Sequence, residues 1–201
     1  SFHEGGHGWI NLEKAFAYSC NSYFINSSIK IGYGSLINKA AGFGLGRYTG
    51  VNRQGIAESP GNLPDPDVFH SDGDVANISI GQGEVMATPL QVASLVATVA
   101  NGGIRNSVNI ADSIIDADGN KVRELRQNEW ERVISKQTAD NIKRLMEEVT
   151  ASGTGSQASL EKFGGAAGKT GSAETGRDDV VHAWFAGYFP RKNPRYSMVV
   201  F

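Results

Sequence analysis

Ala167-Gly168-Lys169-Thr170-Gly171-Ser172-Ala173-Glu174 is the stretch on which the reading of this chain turns. It is entered through Gly164-Gly165-Ala166, so a lysine and two hydroxyls follow a run of residues with almost no side chain, which allows close approach to the backbone. Beyond it lie Val181–Phe189 and residues 196–201, both rich in β-branched and aromatic residues, with Gly, Asp and Pro punctuation between them. Three consecutive strands are predicted.

Helical signals dominate upstream. Asn11 can cap a short helix reaching Tyr18, with Leu12, Ala15 and Phe16 at helical spacing, and Ser19-Cys20-Asn21 then interrupts it. The apolar stretch from Tyr23, Phe24 and Ile25 to Ile29 reads as a buried helix that stops near Gly32. Residues 42–74 are rich in Gly, Pro, Asn and Asp and are expected to be mostly loop. Thr88-Pro89 opens a helix carrying Leu90, Ala93, Ala97 and Ala100 before the Gly102-Gly103 stop. Ser135 can cap another, with inner face Ile142, Leu145, Met146 and Val149 and an end at Gly153. Asp116-Ala117-Asp118-Gly119-Asn120, between Ser113-Ile114-Ile115 and Lys121-Val122-Arg123, predicts a small exposed hairpin. Helices first and consecutive strands last give an α/β chain of the α+β kind, an antiparallel sheet packed by helices.

Composition narrows the function. At 201 residues and 40% apolar the chain can bury one substantial core, and one globular unit spanning 1–201 is expected. A formal net charge of -2 gives no cationic footprint for nucleic acid. Cys20 is the only cysteine, so no internal disulfide can form, and it reads as a small buried hydrophobe. No apolar run reaches 18 residues. His3, His7, His70 and His182 share no metal-ligand spacing, so no metal or other cofactor is expected, and His182 reads as a turn residue leading into a strand.

Taken singly, the polar motifs have ordinary explanations. A lysine on a strand is usually a solvated charge. Ser19 and Asn21, at a helix junction, read as local caps. Gly168-Lys169-Thr170 reproduces the end of the phosphate-binding pattern G-x-x-x-x-G-K-T, but the opening glycine falls on Phe163 and residues 154–162 are polar, so nucleotide binding is not expected. Gly81-Gln82-Gly83 reads as a turn.

Order changes the reading. Around Ser19-Cys20-Asn21 stand His7-Gly8 and Tyr23-Phe24; then come Phe43-Gly44-Leu45-Gly46, Gly81-Gln82-Gly83, Met86-Ala87-Thr88-Pro89-Leu90-Gln91-Val92-Ala93 and Ala100-Asn101-Gly102-Gly103. Gly153-Thr154-Gly155, Lys169-Thr170-Gly171 and Ala183-Trp184-Phe185-Ala186-Gly187-Tyr188 complete the series. Over nearly the whole chain this series resembles the transpeptidase domain of class B penicillin-binding proteins, serine acyltransferases that carry S-x-x-K, S-x-N and K-T-G motifs.

The resemblance implies a serine β-lactamase/penicillin-binding-protein-like fold, incomplete at both ends, from a membrane-anchored parent that holds this domain outside the cytoplasm. It implies peptidoglycan stem peptides ending in D-Ala-D-Ala as substrate and β-lactam antibiotics as ligands. A serine hydroxyl attacks the D-Ala-D-Ala carbonyl, expels D-Ala and is released by an amine of a second peptide; such a hydroxyl needs a base. On these positions Ser19 would relay a proton, Asn21 would hold the base and the substrate amide, and Lys169 would supply positive potential. Thr170 and Ser172 would bind the substrate carboxylate, the Ser172 N–H would be an oxyanion donor, and Gly171 would let substrate approach the strand. The family often has Thr where Ser172 stands; the hydroxyl is kept.

Two S-x-x-K matches occur, Ser27-Ser28-Ile29-Lys30 and Ser159-Leu160-Glu161-Lys162, but the family places its nucleophile a few dozen residues before S-x-N and neither fits. The chain is therefore read as an excised segment, inactive alone, with the nucleophile outside it. Its uncovered apolar surface and sheet edge are expected to drive self-association or completion by another chain. A β-lactam hydrolase, an antibiotic-sensing domain of the same fold and a catalytically silent binding module remain the alternatives.

Overall fold

A computed structural model describes residues 6–68, 71–175 and 180–201, so His3 and His70 lie outside the described residues. The helices are α1 (Leu12–Ala17), α2 (Asn21–Ile31), α3 (Tyr33–Gly42), α4 (Asp72–Ser79), α5 (Pro89–Ala100) and α6 (Lys136–Ala151). The strands are β1 (Ile104–Asn106), β2 (Ser113–Ile115), β3 (Lys121–Glu124), β4 (Trp130–Arg132), β5 (Ala167–Glu174), β6 (Val181–Phe189) and β7 (Tyr196–Val200). Strands β5, β6 and β7 form one antiparallel sheet in that order, while β2–β3 is the expected hairpin and β1 pairs with β4. Val96 and Val99 of α5 and Met146 of α6 meet Ala167 of β5 and Tyr188 of β6, with Phe16 of α1 packed against them. Val96, Val99 and Met146 each contribute roughly 1.5–3 kcal/mol by this burial. The α+β architecture is the one the residue pattern predicts. Among the described residues no helix is long and apolar enough to cross a membrane.

Capping chemistry sets the helix starts. Asn11 Oδ1 accepts from the Lys14 N–H at 3.0 Å, and Ser135 Oγ accepts from Thr138 N at 3.0 Å. Thr88 and Gln91 form a reciprocal capping box at the head of α5, with Pro89 in the first turn.

The residue pattern departs from the structure at α2, α3, α4 and α5, and at the β1–β4 ladder, whose strands it does not predict. Helix α3 is missed although Tyr33, Leu36, Ile37, Ala40 and Ala41 recur at helical spacing; what it lacks is a start signal, because its N-cap is Gly32, which has no side chain to cap with. The region read as loop ends early, because Ser71 and Asp74 form a capping box and start α4 at Asp72; residues that favour turns also favour helix N-termini. Helix α2 is half exposed rather than buried: Ile29 and Ile31 are 41% and 60% exposed, and only Ser28 is buried. Its apolar residues are consecutive, so they cannot all face one side. On α5 the core line runs through Val96, Val99 and Ala100, whereas Leu90, Ala93 and Ala97 are only partly covered.

The long connection between α3 and α4 is held by side chains in place of regular ladders. Gln91, 1% exposed, donates from Nε2 to the carbonyls of Arg47 (2.8 Å) and Pro60 (2.7 Å) and accepts from the Thr88 N–H (2.8 Å). Glu58 accepts from the N–H groups of Thr49, Gly50 and Asn52 and from the Thr49 hydroxyl. Burial would raise this carboxyl, but the hydrogen bonds from Thr49, Asn52 and Gly50 outweigh it and hold it below the usual carboxylate value.

Candidate active site

The site begins at the end of α1. The Ser19 N–H donates to the Phe16 carbonyl (3.3 Å) and the Cys20 N–H to the Ala15 carbonyl (2.9 Å), the paired bonds of a Schellman stop. The residue after the cap is left-handed in that motif and is usually glycine; here it is Ser19 at φ 52°. A non-glycine residue held there costs on the order of 1 kcal/mol, and such strain collects where a side chain has a task. The Ser19 hydroxyl accepts a hydrogen bond from Lys169 Nζ, 150 residues away in sequence. Cys20, 7% exposed, makes no side-chain cap to α2, and Asn21 is the first residue of that helix. Local capping therefore accounts for neither Ser19 nor Asn21.

Lys169 projects from β5, where its register partner on β6 is Ala186. Its Nζ also donates to the Thr170 carbonyl at 2.8 Å and lies 5.9 Å from the centre of the Phe16 ring. No carboxylate pairs with it among the described residues. Burial disfavours its charged form and lowers its pKa to about 8. The ammonium persists at neutral pH yet gives up its proton far more readily than a surface lysine.

A third segment completes the wall. Gly153 packs so closely on the end of α1 that a Cβ there would collide with the Ala17 carbonyl, which accepts from the Thr154 N–H at 3.1 Å. This contact presents the Thr154 hydroxyl to that of Thr170 at 2.6 Å, either one donating. Gly153-Thr154-Gly155 thus joins α1, α6 and β5 at one point.

These groups line a cleft of about 720 Å³. All six residues singled out in the sequence, Ser19, Asn21, Lys169, Thr170, Gly171 and Ser172, contribute to it. Asn21, Gly171 and Ser172 are exposed. His7, Phe16, Tyr18, Phe24 and Thr154 also line it and were not singled out as site residues. Their signals were the places of His7-Gly8, Tyr23-Phe24 and Gly153-Thr154-Gly155 in the motif series, which assign no role, and an aromatic beside a helix end reads first as core. The serines of the two S-x-x-K matches stay out of the cleft. Ser27 Oγ is engaged by the Tyr23 carbonyl within α2 (2.8 Å), and Ser159 lies in the connection before β5. His182 opens β6, its ring 4.9 Å from that of Phe201, and no metal-binding cluster occurs among the described residues.

The two glycines of β5 have different reasons. A Cβ on Gly168 would fall 2.9 Å from the Ala186 carbonyl and press on the Phe185 ring, while one on Gly171 meets nothing nearer than Trp184 Cβ at 3.5 Å. Gly168→Ala is expected to destabilise by about 2 kcal/mol, the scale of overpacking, and Gly171→Ala to leave thermal unfolding nearly unchanged. Equal losses in both variants would refute this assignment.

A cation on a hydroxyl, flanked by two more hydroxyls and exposed strand backbone, can bind a carboxylate and pass a proton beside it. Residues 2–201 match the family described as "Penicillin binding protein transpeptidase domain". The chain belongs to this transpeptidase family. Among the relatives, peptidoglycan D,D-transpeptidase PbpA of Mycobacterium tuberculosis is 31% identical over 195 residues, covering 95% of this chain and 38% of the relative. Penicillin-binding protein 3 of M. tuberculosis, solved with aztreonam, superposes with a TM-score of 0.82 at 31% identity over 96% of this chain and 46% of that one. Penicillin-binding protein A of M. tuberculosis, solved as an imipenem acyl-enzyme, has a TM-score of 0.82 at 27% identity over 95% of this chain and 42% of that one. The chain thus spans less than half the length of each of these relatives.

Proposed function

We propose that this chain supplies one wall of the active site of a peptidoglycan D,D-transpeptidase, a serine acyltransferase that cross-links stem peptides and is acylated by β-lactams. The observation that carries the reading is the Lys169 ammonium on the Ser19 hydroxyl in a cleft bordered by Asn21, Thr170 and Ser172. In this reading the attacking serine and its lysine base come from an S-x-x-K segment outside residues 1–201. Lys169 and the hydroxyls of Thr170 and Ser172 hold the terminal carboxylate of D-Ala-D-Ala or its equivalent in a β-lactam, and Thr154 orients Thr170. Ser19 passes the nucleophile's proton towards the leaving amine, Asn21 steadies the base and the substrate amide, and the Ser172 N–H stabilises the oxyanion. Gly171 leaves room for substrate against β5, so Gly171→Ala should fold yet acylate poorly. The parent is read as membrane-anchored with this domain outside the cytoplasm, where stem peptides are found.

Intact-mass measurement with benzylpenicillin tests the proposal. The full-length protein should gain one acyl group, mapped by peptide analysis to a serine of an S-x-x-K segment outside this chain, and the 201-residue chain alone should gain none. An adduct on Ser27 or Ser159 would show that the nucleophile has been misplaced.

The pH dependence has a definite sign. Burial lowers the Lys169 pKa from its ordinary 10.5 to about 8, so the charge that attracts the carboxylate is present below about pH 8 and is lost as pH rises through it. Acylation rates of the full-length protein, followed with a chromogenic β-lactam, should fall on an alkaline limb near pH 8. A rate that stays flat to the ordinary lysine pKa would contradict the role given to Lys169.

A further inference from the structure

A second cavity, of about 250 Å³, lies between the 43–53 segment and the β1–β4 ladder and shares no lining residue with the cleft. Its walls are tied across the chain by amide side chains. Gln127 Nε2 donates to the Gly50 carbonyl at 2.9 Å, and the Asn109 side chain clasps the Gln127 backbone through both its N–H and its carbonyl. Gln54 accepts from the Ile110 and Ala111 N–H groups and donates to the Val108 carbonyl, while Gln91 fixes the opposite end. A cavity held this way is preformed, so a ligand entering it spends little on ordering the protein.

The lining has an unusual combination of properties. Its charges cancel: Arg105 pairs with Glu131 at 2.6 Å and Arg53 lies 3.8 Å from Glu129, which gives no preference for a phosphate or a polycarboxylate. The remaining polar groups are amides and hydroxyls, among them Asn106, Ser107 and Thr49. Two large aromatics on the same lining are left open to solvent, Trp130 at 69% and Tyr48 at 54%. An exposed indole is a flat apolar platform with one N–H donor, and such residues concentrate in binding sites.

A neutral ligand with a flat apolar face and a rim of hydroxyl donors and acceptors satisfies all of these features, and a pyranose ring has that form. The volume is at the small end of ligand sites and suits a single sugar unit. We propose that this cavity is a saccharide subsite, with a sugar ring against Trp130 or Tyr48 and its hydroxyls on the amide, hydroxyl and ion-pair groups around them. If the chain acts on peptidoglycan, the sugar is a unit of the glycan strand that carries the stem peptides. That assignment of the glycan rests on the transpeptidase reading; saccharide binding does not.

Saturation-transfer NMR of the full-length protein with N,N′,N″-triacetylchitotriose tests it. The expected result is saturation of the ring C–H protons and a dissociation constant of about 1 mM, the range for one small subsite. At least one of Trp130→Ala and Tyr48→Ala should weaken binding about 5-fold or more, which identifies the stacking ring, and both should still be acylated by benzylpenicillin at close to the parent rate, as expected for a separate site. Prior acylation with benzylpenicillin should leave the saturation intact. Absence of saturation, unchanged binding in both aromatic variants, or loss of saturation on acylation would overturn the proposal. None of these results bears on whether Lys169 and Ser19 support acylation, so the two readings fail separately.

Discussion

Lys169→Ala in the full-length protein is expected to slow acylation by benzylpenicillin by about 100-fold or more, the scale for losing a preorganised electrostatic group. The ammonium is held at a fixed point by the Ser19 hydroxyl and the Thr170 carbonyl, so it costs no reorganisation when the substrate arrives. The variant should fold. Removing a largely buried cation that has no carboxylate partner among the described residues leaves no opposite charge stranded, unlike the loss of one half of a buried ion pair. The freed Ser19 hydroxyl faces the cleft, where solvent can replace the lost donor. Stopped-flow acylation with circular dichroism as a folding control makes the measurement. An acylation rate within about 3-fold of the parent would show that Lys169 is only a structural neighbour of Ser19. Lys169→Arg should restore little, because a planar guanidinium cannot occupy the place of a compact ammonium.

Gln91→Leu is expected to destabilise the protein by roughly 2–4 kcal/mol, because it removes partly buried hydrogen bonds to the carbonyls of Arg47 and Pro60 and from the Thr88 N–H, at about 1 kcal/mol each. The substitution conserves volume approximately, so the loss reports hydrogen bonding more than packing. Gln137→Leu on α6 serves as the comparison, since Gln137 is exposed and among the described residues its side chain bonds only Asn141, and it should change stability by no more than about 0.5 kcal/mol. Urea unfolding of both variants settles the matter. Similar midpoints would mean that the connection between α3 and α4 does not depend on Gln91.

Gln91 also marks a boundary of what a residue pattern can reveal. Three residues past Thr88 on a helix opening with proline, it has the spacing of a capping box, and that local role is one of the two it plays. Its second role, holding two distant carbonyls, depends on where residues 44–60 return, and no periodicity encodes that. Helices α1, α5 and α6 were readable because Asn11, Thr88 and Ser135 act on N–H groups only three residues ahead. Helix α3 was not, and α4 was hidden because Ser71, Asp72 and Asp74 serve turns and helix starts alike.

The sequence by itself determined the three C-terminal strands, the helices α1, α5 and α6, and six of the residues that line the cleft, because strand and cap preferences are local and because the order of the motifs matches one family. Only the tertiary structure decided how those residues meet. The hydrogen bond from Lys169 to the Ser19 hydroxyl, the collision that reserves Gly153 for glycine, and the burial that lowers Lys169 to about 8 all arise from segments far apart in the chain pressing together. A pKa depends on the water a folded neighbour excludes, which is not a property of the residue alone.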